Sequence, residues 1–337
     1  MRKSIIQTLK FLAFLFTGII LLWIAFKNVD FKSLKADLEE ADYYWLILSV
    51  LFGFLAYLSR TRRWMLLIHP LGFRPAFWNT FHGLMTGYLA NIALPRIGEI
   101  TRCVALGKKE KIPVDQLVGT VVVERTIDFI SLLILTIVIF LTSGVLIKEF
   151  LKENIIEPVQ SKLAGMPGIT WIIWLTLIVI LVSVMILMMR YRKHLRHIRF
   201  FSKMFDVAKG VINGLKTITG LERKWEFVFH TFFIWLNYAL MTWVVVFAIP
   251  STSHLSFWNS IFILVVGGLA MSAPVQGGFG AFHYLVSRGM AFIEGVSLED
   301  GLVYAILTHE SQLLFVIIVG AVSFFLIFRK HNKRKPV

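Results

Sequence analysis

The chain has 337 residues, is 57% apolar with a mean hydropathy of +0.74, and carries a net charge of +15. Soluble domains sit near about 45–50% apolar even by a broader count, so a water-soluble globule is excluded and a polytopic membrane protein expected. Cys103 is the sole cysteine, which excludes an internal disulfide and any CxxC metal or redox motif.

The apolar residues fall into blocks of the length that crosses a ~30 Å hydrocarbon core. Six read as full spans: 9–26, 43–59, 117–142, 169–189, 227–248 and 302–328. Leu9–Phe26 is long for a signal peptide and no small-residue cleavage site follows it, so it is read as a retained span. Two further apolar stretches, 77–94 and 257–274, contain glycines and end at Pro95 and Pro274. Between the halves, 190–224 opens with Arg190, Arg192, Lys193, Arg196 and Arg199 and continues with apolar residues at helical spacing. This is the pattern of a basic helix lying on an anionic membrane surface, or of a basic cytoplasmic loop.

Charge bias decides whether the two glycine-containing stretches cross. If neither does and the N-terminus is cytoplasmic, the inside segments hold 27 Lys and Arg against 6 acidic residues, and the outside segments 7 against 11. Letting 77–94 alone cross puts the basic segments 96–116, 190–226 and 329–337 outside. Letting both cross still exports the basic stretch 190–226. Both are therefore read as re-entrant. In that count the +15 is an orientation signal and not a nucleic-acid surface, and no nucleic-acid partner is expected.

An internal echo accompanies them. Phe77-Trp78-Asn79-Thr80 matches Phe257-Trp258-Asn259-Ser260, and the same offset pairs Gly87 with Gly267, Ala93 with Ala273 and Gly98 with Gly278. The expected architecture is a single membrane domain over 1–337, all-α, with six spanning helices and two re-entrant helices in an inverted repeat. The first repeat covers 43–142 with a re-entrant segment at 77–95. Residues 143–226 connect, and the second repeat covers 227–328 with its re-entrant segment at 257–274. Inverted repeats with matching broken helices point to a transporter whose site lies at the repeat interface.

Three motifs put ionisable groups where membranes exclude them. Pro95-Arg96-x-Gly98-Glu99-x-x-Arg102 ends the first re-entrant segment, and a helix restarting at Gly98 places Glu99 and Arg102 on one face. Glu124-Arg125-x-x-Asp128 lies inside a span, where Arg125 and Asp128 are one turn apart and Arg125 is the only basic residue read as lying within a span. Pro274-x-Gln276-Gly277-Gly278-x-Gly280-x-x-His283 forms the second break, with His309-Glu310 in the last span. His309 either carries protons or simply hydrogen-bonds Glu310. Substrate contacts are expected from Arg96, Glu99, Arg102, Glu124, Arg125, Asp128, Gln276, His283, His309 and Glu310. Pro95, Gly98, Pro274, Gly277, Gly278 and Gly280 are expected as hinges. His82, His283 and His309 lack a metal spacing such as HExxH, and no GxSxG or P-loop occurs, so no metal, cofactor or catalytic residue is expected.

At these motifs, and over roughly 9–328, the chain resembles the membrane-embedded flippase region of the lysylphosphatidylglycerol synthase family. The resemblance implies an all-helical translocator that moves phospholipids or lipid-linked sugars between leaflets of the cell (inner) membrane. The soluble aminoacyl-transferase domain of bifunctional members is not recognised here, so lipid lysinylation is not implied. The family pattern commonly has proline where Gln276 stands, glutamate where His283 stands and arginine near His309. The expected protein is multi-pass with cytoplasmic termini, its partners a lipid substrate and anionic membrane lipid, with self-association left open. The alternative is a membrane enzyme or accessory factor for glycolipid or cell-envelope synthesis; a third reading is a scaffold whose charges only lock the helices.

Overall fold

A computed structural model describes residues 16, 19–23, 25–26, 31–142, 220–273 and 275–329. Most of the expected span at 9–26, the span at 169–189, most of the segment 190–224, and Pro274 lie outside the described residues. Within them every regular element is helical: α1 (Phe31–Glu40), α2 (Tyr43–Ile68), α3 (Phe77–Ala93), α4 (Ile97–Glu110), α5 (Val114–Thr142), α6 (Lys224–Val245), α7 (Phe257–Met271), α8 (Ala281–Ala291) and α9 (Leu298–Phe328), with short 3₁₀ turns between some of them.

Among the described residues, four helical stretches are long and apolar enough to cross a membrane: Tyr43–Leu71, Val114–Thr142, Lys224–Ala248 and Leu298–Phe328. Their outward faces keep large apolar side chains exposed, among them Phe129, Leu133 and Ile137 on α5 and Leu314, Ile318 and Phe325 on α9. In water such a surface would aggregate; in a bilayer it is solvated by acyl chains. The protein is a membrane protein.

The ends of these helices obey local chemistry. Asp42 caps α2 by accepting from the Tyr44 N–H, and Ser297 with Asp300 forms a reciprocal capping box on α9. The sequence reading ends the span of α2 at residue 59, because Arg60, Arg62 and Arg63 look like a cytoplasmic loop. The helix instead continues to Ile68, since no breaker occurs before Pro70. Arg125 is therefore not the only arginine inside a span.

Besides the short α1, the remaining four helices pair into two hairpins. At the first, the Glu110 carboxylate accepts from the Ala76 N–H at 3.2 Å and from Asn79 Nδ2 at 2.5 Å, so the chain leaves close to where it entered. Its arms are about 26 and 21 Å long at 1.5 Å per residue, both short of a ~30 Å core. They touch backbone to backbone, because a Cβ on Gly87 or Gly98 would run into the other residue's carbonyl oxygen. Asn91 Oδ1 accepts from the Gly98 N–H at 2.8 Å, so one arm caps the start of the other. The second hairpin joins α7 to α8, and His254 Nε2 lies 3.2 Å from the Glu294 carbonyl at its base. The stretch 275–301, read from sequence as an external loop, thus contains the helix α8.

α2 and α6 pack side by side and antiparallel. Arg62 meets Glu226 at 2.6 Å, Ser59 meets His230 at 2.7 Å, Ser49 donates to the Met241 carbonyl at 3.0 Å, and the Asp42 N–H donates to the Ala248 carbonyl at 2.9 Å. α3 packs on α9 while α7 packs on α5; α4 lies against α5 and α8 against α9. α2 and α9 end, and α5 and α6 begin, on the side that carries the base of the first hairpin. There Lys109 donates to the Arg329 carbonyl at 3.3 Å. The opposite side gathers Ser251 and Asp300, 2.6 Å apart, with the base of the second hairpin.

One side is rich in Lys and Arg and the other in Asp and Glu, as a bilayer-oriented protein requires. In a Cys103→Ala background, an impermeant thiol reagent is expected to label Lys108→Cys and Glu294→Cys from opposite faces of sealed vesicles. Labelling of both from one face contradicts the arrangement.

Candidate functional site

The first hairpin delivers its charged tip into a lattice already built by the neighbouring spans. Glu124 of α5 is completely buried, and three arginines converge on it: Arg60 at 3.0 Å, Arg63 at 3.6 Å and Arg102 at 3.1 Å. One helical turn further on, Asp128 pairs with Arg60 and lies 2.6 Å from Arg63. Glu124 and Asp128 share a face of α5, and Arg60 and Arg63 share a face of α2, so both pairs meet across one helix contact. Arg60 Nη1 also donates to the Tyr238 hydroxyl at 2.9 Å, which ties in α6.

Aromatic rings enclose the guanidinium groups. Arg102 lies 4.6 Å over the Trp64 ring and Arg63 lies 5.9 Å from that of Phe227. The Trp64 indole N–H donates to Thr120 Oγ1 at 2.8 Å, which fixes its orientation. A cation against such a ring face is stabilised by about 0.5–2 kcal/mol, more as water is excluded.

Arg125 occupies the wetter edge. It contacts Glu99 at 2.6 Å and Asp128 at 3.8 Å, with Arg125 and Glu99 side chains 38% and 36% exposed. Arg125 and Asp128 do approach each other, as their one-turn separation suggests, but Glu99 of α4 is the nearer partner. Beside them, Leu84, Gly87, Tyr88, Asn91, Gly98, Glu99, Arg102 and Arg125 line a narrow crevice, closed to a water-sized molecule in this conformation. Arg60 lies about 12 Å from the end of α2, Arg102 about 12 Å from the base of α4 and Glu124 about 15 Å from the start of α5. All three depths are near the middle of a ~30 Å core.

Charge in this lattice does not balance. Four guanidinium groups, Arg60, Arg63, Arg102 and Arg125, face three carboxylates, Glu99, Glu124 and Asp128. Arginine stays protonated throughout. With the carboxylates ionised, one positive charge is left over. Among the described residues, Arg60 Nε, Arg63 Nε, Arg63 Nη1 and Arg102 Nε are buried donors with no hydrogen-bond partner.

Arg96 sits elsewhere. In the left-handed conformation (φ +62°) at the tip of the first hairpin, it donates through Nη2 to the Ser272 carbonyl at the end of α7, at 3.1 Å. It joins the two breaks and does not enter the lattice. Pro95 lies in the same turn. At the second break, Gly277, Gly278 and Gly280 adopt positive φ angles of 56°, 80° and 79°, and Gln276 opens a short 3₁₀ turn. His283, His309 and Glu310 come together beside that turn, with His309 Nδ1 3.0 Å from Glu310. The structure thus separates the ten expected contact residues into the arginine lattice, the Arg96 bridge, Gln276 in the second break and a histidine–glutamate group.

Sequence reasoning missed Arg60, Arg63, Trp64 and Tyr238. The available signal was the absence of a breaker between residue 59 and Pro70, which leaves Arg60 and Arg63 at i,i+3 on a continuing helix.

The described residues thus form a helical membrane protein with buried, mutually paired charges beside a broken-helix hairpin. The family model described as the lysylphosphatidylglycerol synthase TM region matches residues 10–320, and the chain belongs to that family. No curated protein and no solved structure matches.

Removing Glu124 takes the carboxylate from Arg102 and leaves Arg60 and Arg63 to share Asp128 around an unfilled void. Glu124→Ala is expected to cost about 3–5 kcal/mol of stability, measured as a large drop in thermal midpoint in detergent. Arg125→Gln, at the exposed edge, is expected to leave that midpoint nearly unchanged.

Proposed function

We propose that this protein is a lipid translocator in the cell membrane, moving an anionic phospholipid or lipid-linked sugar headgroup between leaflets while the acyl chains stay in the bilayer. The observation that carries the reading is the surplus positive charge at mid-depth, beside a crevice that widens to admit a headgroup. A surplus guanidinium in hydrocarbon is costly unless an anion joins it. Phosphate oxygens match the donor fork of arginine. Arg102 and Arg125 line the crevice and are the first contacts of an entering headgroup. Glu99 yields its place on Arg125 to the phosphate as it arrives.

The same reading takes the two hairpins as re-entrant elements of an inverted repeat within a six-span, multi-pass fold with cytoplasmic termini. Supporting it are the antiparallel α2–α6 pair and the matched contacts α3 with α9 and α7 with α5. Corresponding helices that meet antiparallel are related by an axis in the membrane plane. The bridge from Arg96 to Ser272 and the approach of Gly277 to Ile92 put the two tips in contact, where alternating access would break and remake them.

As an enzyme, the protein would use Glu99 and Glu124 as acid and base. Glu124 is sealed behind Arg60, Arg63 and Arg102, out of reach of a substrate carbon, which favours movement over chemistry.

Proteoliposomes with a reporter phospholipid, assayed with and without a pH gradient, test the proposal. Translocation is expected to depend on an anionic headgroup and to fall at least about tenfold in Arg125→Gln, with the thermal midpoint retained. Headgroup-independent behaviour, or loss of folding in step with activity, supports the scaffold reading instead.

A further inference from the structure

A second group of ionisable side chains meets at the break of the α7–α8 hairpin. One ring nitrogen each of His283 and His309 and a Glu310 oxygen all lie within 4.8 Å of one another. His283 Nε2 is 3.4 Å and His309 Nδ1 3.0 Å from the same atom, Glu310 Oε1. On its other side, His309 Nε2 lies 2.9 Å from the Gly277 carbonyl oxygen. A carbonyl only accepts, so Nε2 carries the proton, and a neutral ring then turns the Nδ1 lone pair towards Glu310. Two acceptors at that distance require a cation between them.

We propose that His283, His309 and Glu310 form a binding site for a divalent transition-metal ion of the zinc class. Ligand bonds of about 2.0–2.2 Å at tetrahedral angles place neighbouring ligand atoms about 3.3–3.5 Å apart, close to the separations of 3.4 and 3.0 Å found here. Two imidazoles and a carboxylate are a known zinc ligand set that leaves a fourth position open. The Gly277 carbonyl behind His309 is the outer partner that metal-bound imidazoles use to fix their tautomer. Phe279 packs 5.6 Å from His283 and Phe282 packs 5.2 Å from His309, giving the site a dry wall. Both histidines are buried, while the Glu310 side chain is 39% exposed and offers the way in.

Spacing in the sequence conceals this group, because His309 and Glu310 are adjacent and His283 comes from another helix. A bound ion ties α8, α9 and the Gly277 turn together, which holds the second break in one conformation. The inference stands apart from the lipid reading.

The test uses the full chain without a histidine tag, stripped with chelator in detergent and titrated with Co²⁺. One saturable equivalent per chain with the intense visible absorption of tetrahedral Co²⁺ is expected, displaced by Zn²⁺. His283→Gln and His309→Gln are each expected to weaken it about 100-fold or more, and His82→Gln to leave it unchanged. A folded wild-type chain that gives no saturable absorption overturns the proposal, and so does a signal that survives both substitutions. In either case the cation held between His309 and Glu310 is a proton alone.

Discussion

Everything in the first half of this molecule depends on one carboxylate. Glu124 is completely buried and sits within 4 Å of three guanidinium groups, each from a position that the helices alone would not place there. Moving an isolated carboxylate or guanidinium into a low-dielectric interior costs several kcal/mol even after relaxation. The groups are tolerable only because they are mutual counter-ions, with Asp128, Tyr238 and the Trp64 ring completing the enclosure. That requirement explains why α2 stays helical through Arg60 and Arg63, and why the first hairpin presses so closely on α5. Gly87 and Gly98 let its arms approach far enough for Arg102 to reach Glu124.

The lattice lies against the first hairpin and the histidine group against the second, and Arg96 joins the two breaks. In the proposed mechanism this matters because broken helices expose backbone groups where a cargo can reach them, and two such breaks in contact form a gate. The two hairpins differ in the chemistry around them. The first hairpin is served by arginines and carboxylates, the second by imidazoles and Glu310.

Much of this architecture can be read from the sequence. The four described spans and the two breaks, read at Pro95 and Pro274 where the helices end at Ala93 and Met271, follow from hydropathy and from proline and glycine placement, and the nearness of Arg125 to Asp128 follows from helical spacing. Arg60 and Arg63 were hidden because a cluster of arginines after an apolar run is the ordinary mark of a cytoplasmic boundary. Nothing local distinguishes that from a helix continuing into a charged core; the distinction lies in what α5 presents to it. The second arm of the first hairpin was foreseen as a helix restarting at Gly98, but that of the second was as hard to foresee as the arginines. α8 is short and carries His283 and Arg288, so it reads as a loop until Phe282 and Gly267 are seen packed together. The partition of the ten charged and polar candidates into separate groups is a tertiary fact.

The central claim is that the unbalanced guanidinium charge awaits an anionic headgroup. Equilibrium lipid binding in nanodiscs, read by native mass spectrometry, addresses it most directly. The account predicts that an anionic phospholipid binds at least about tenfold more tightly than a zwitterionic one of the same acyl chains, a difference of about 1.4 kcal/mol, and that the preference is insensitive to lipid at the outer surface of the helices. Equal affinity for the two headgroups in the folded protein contradicts it.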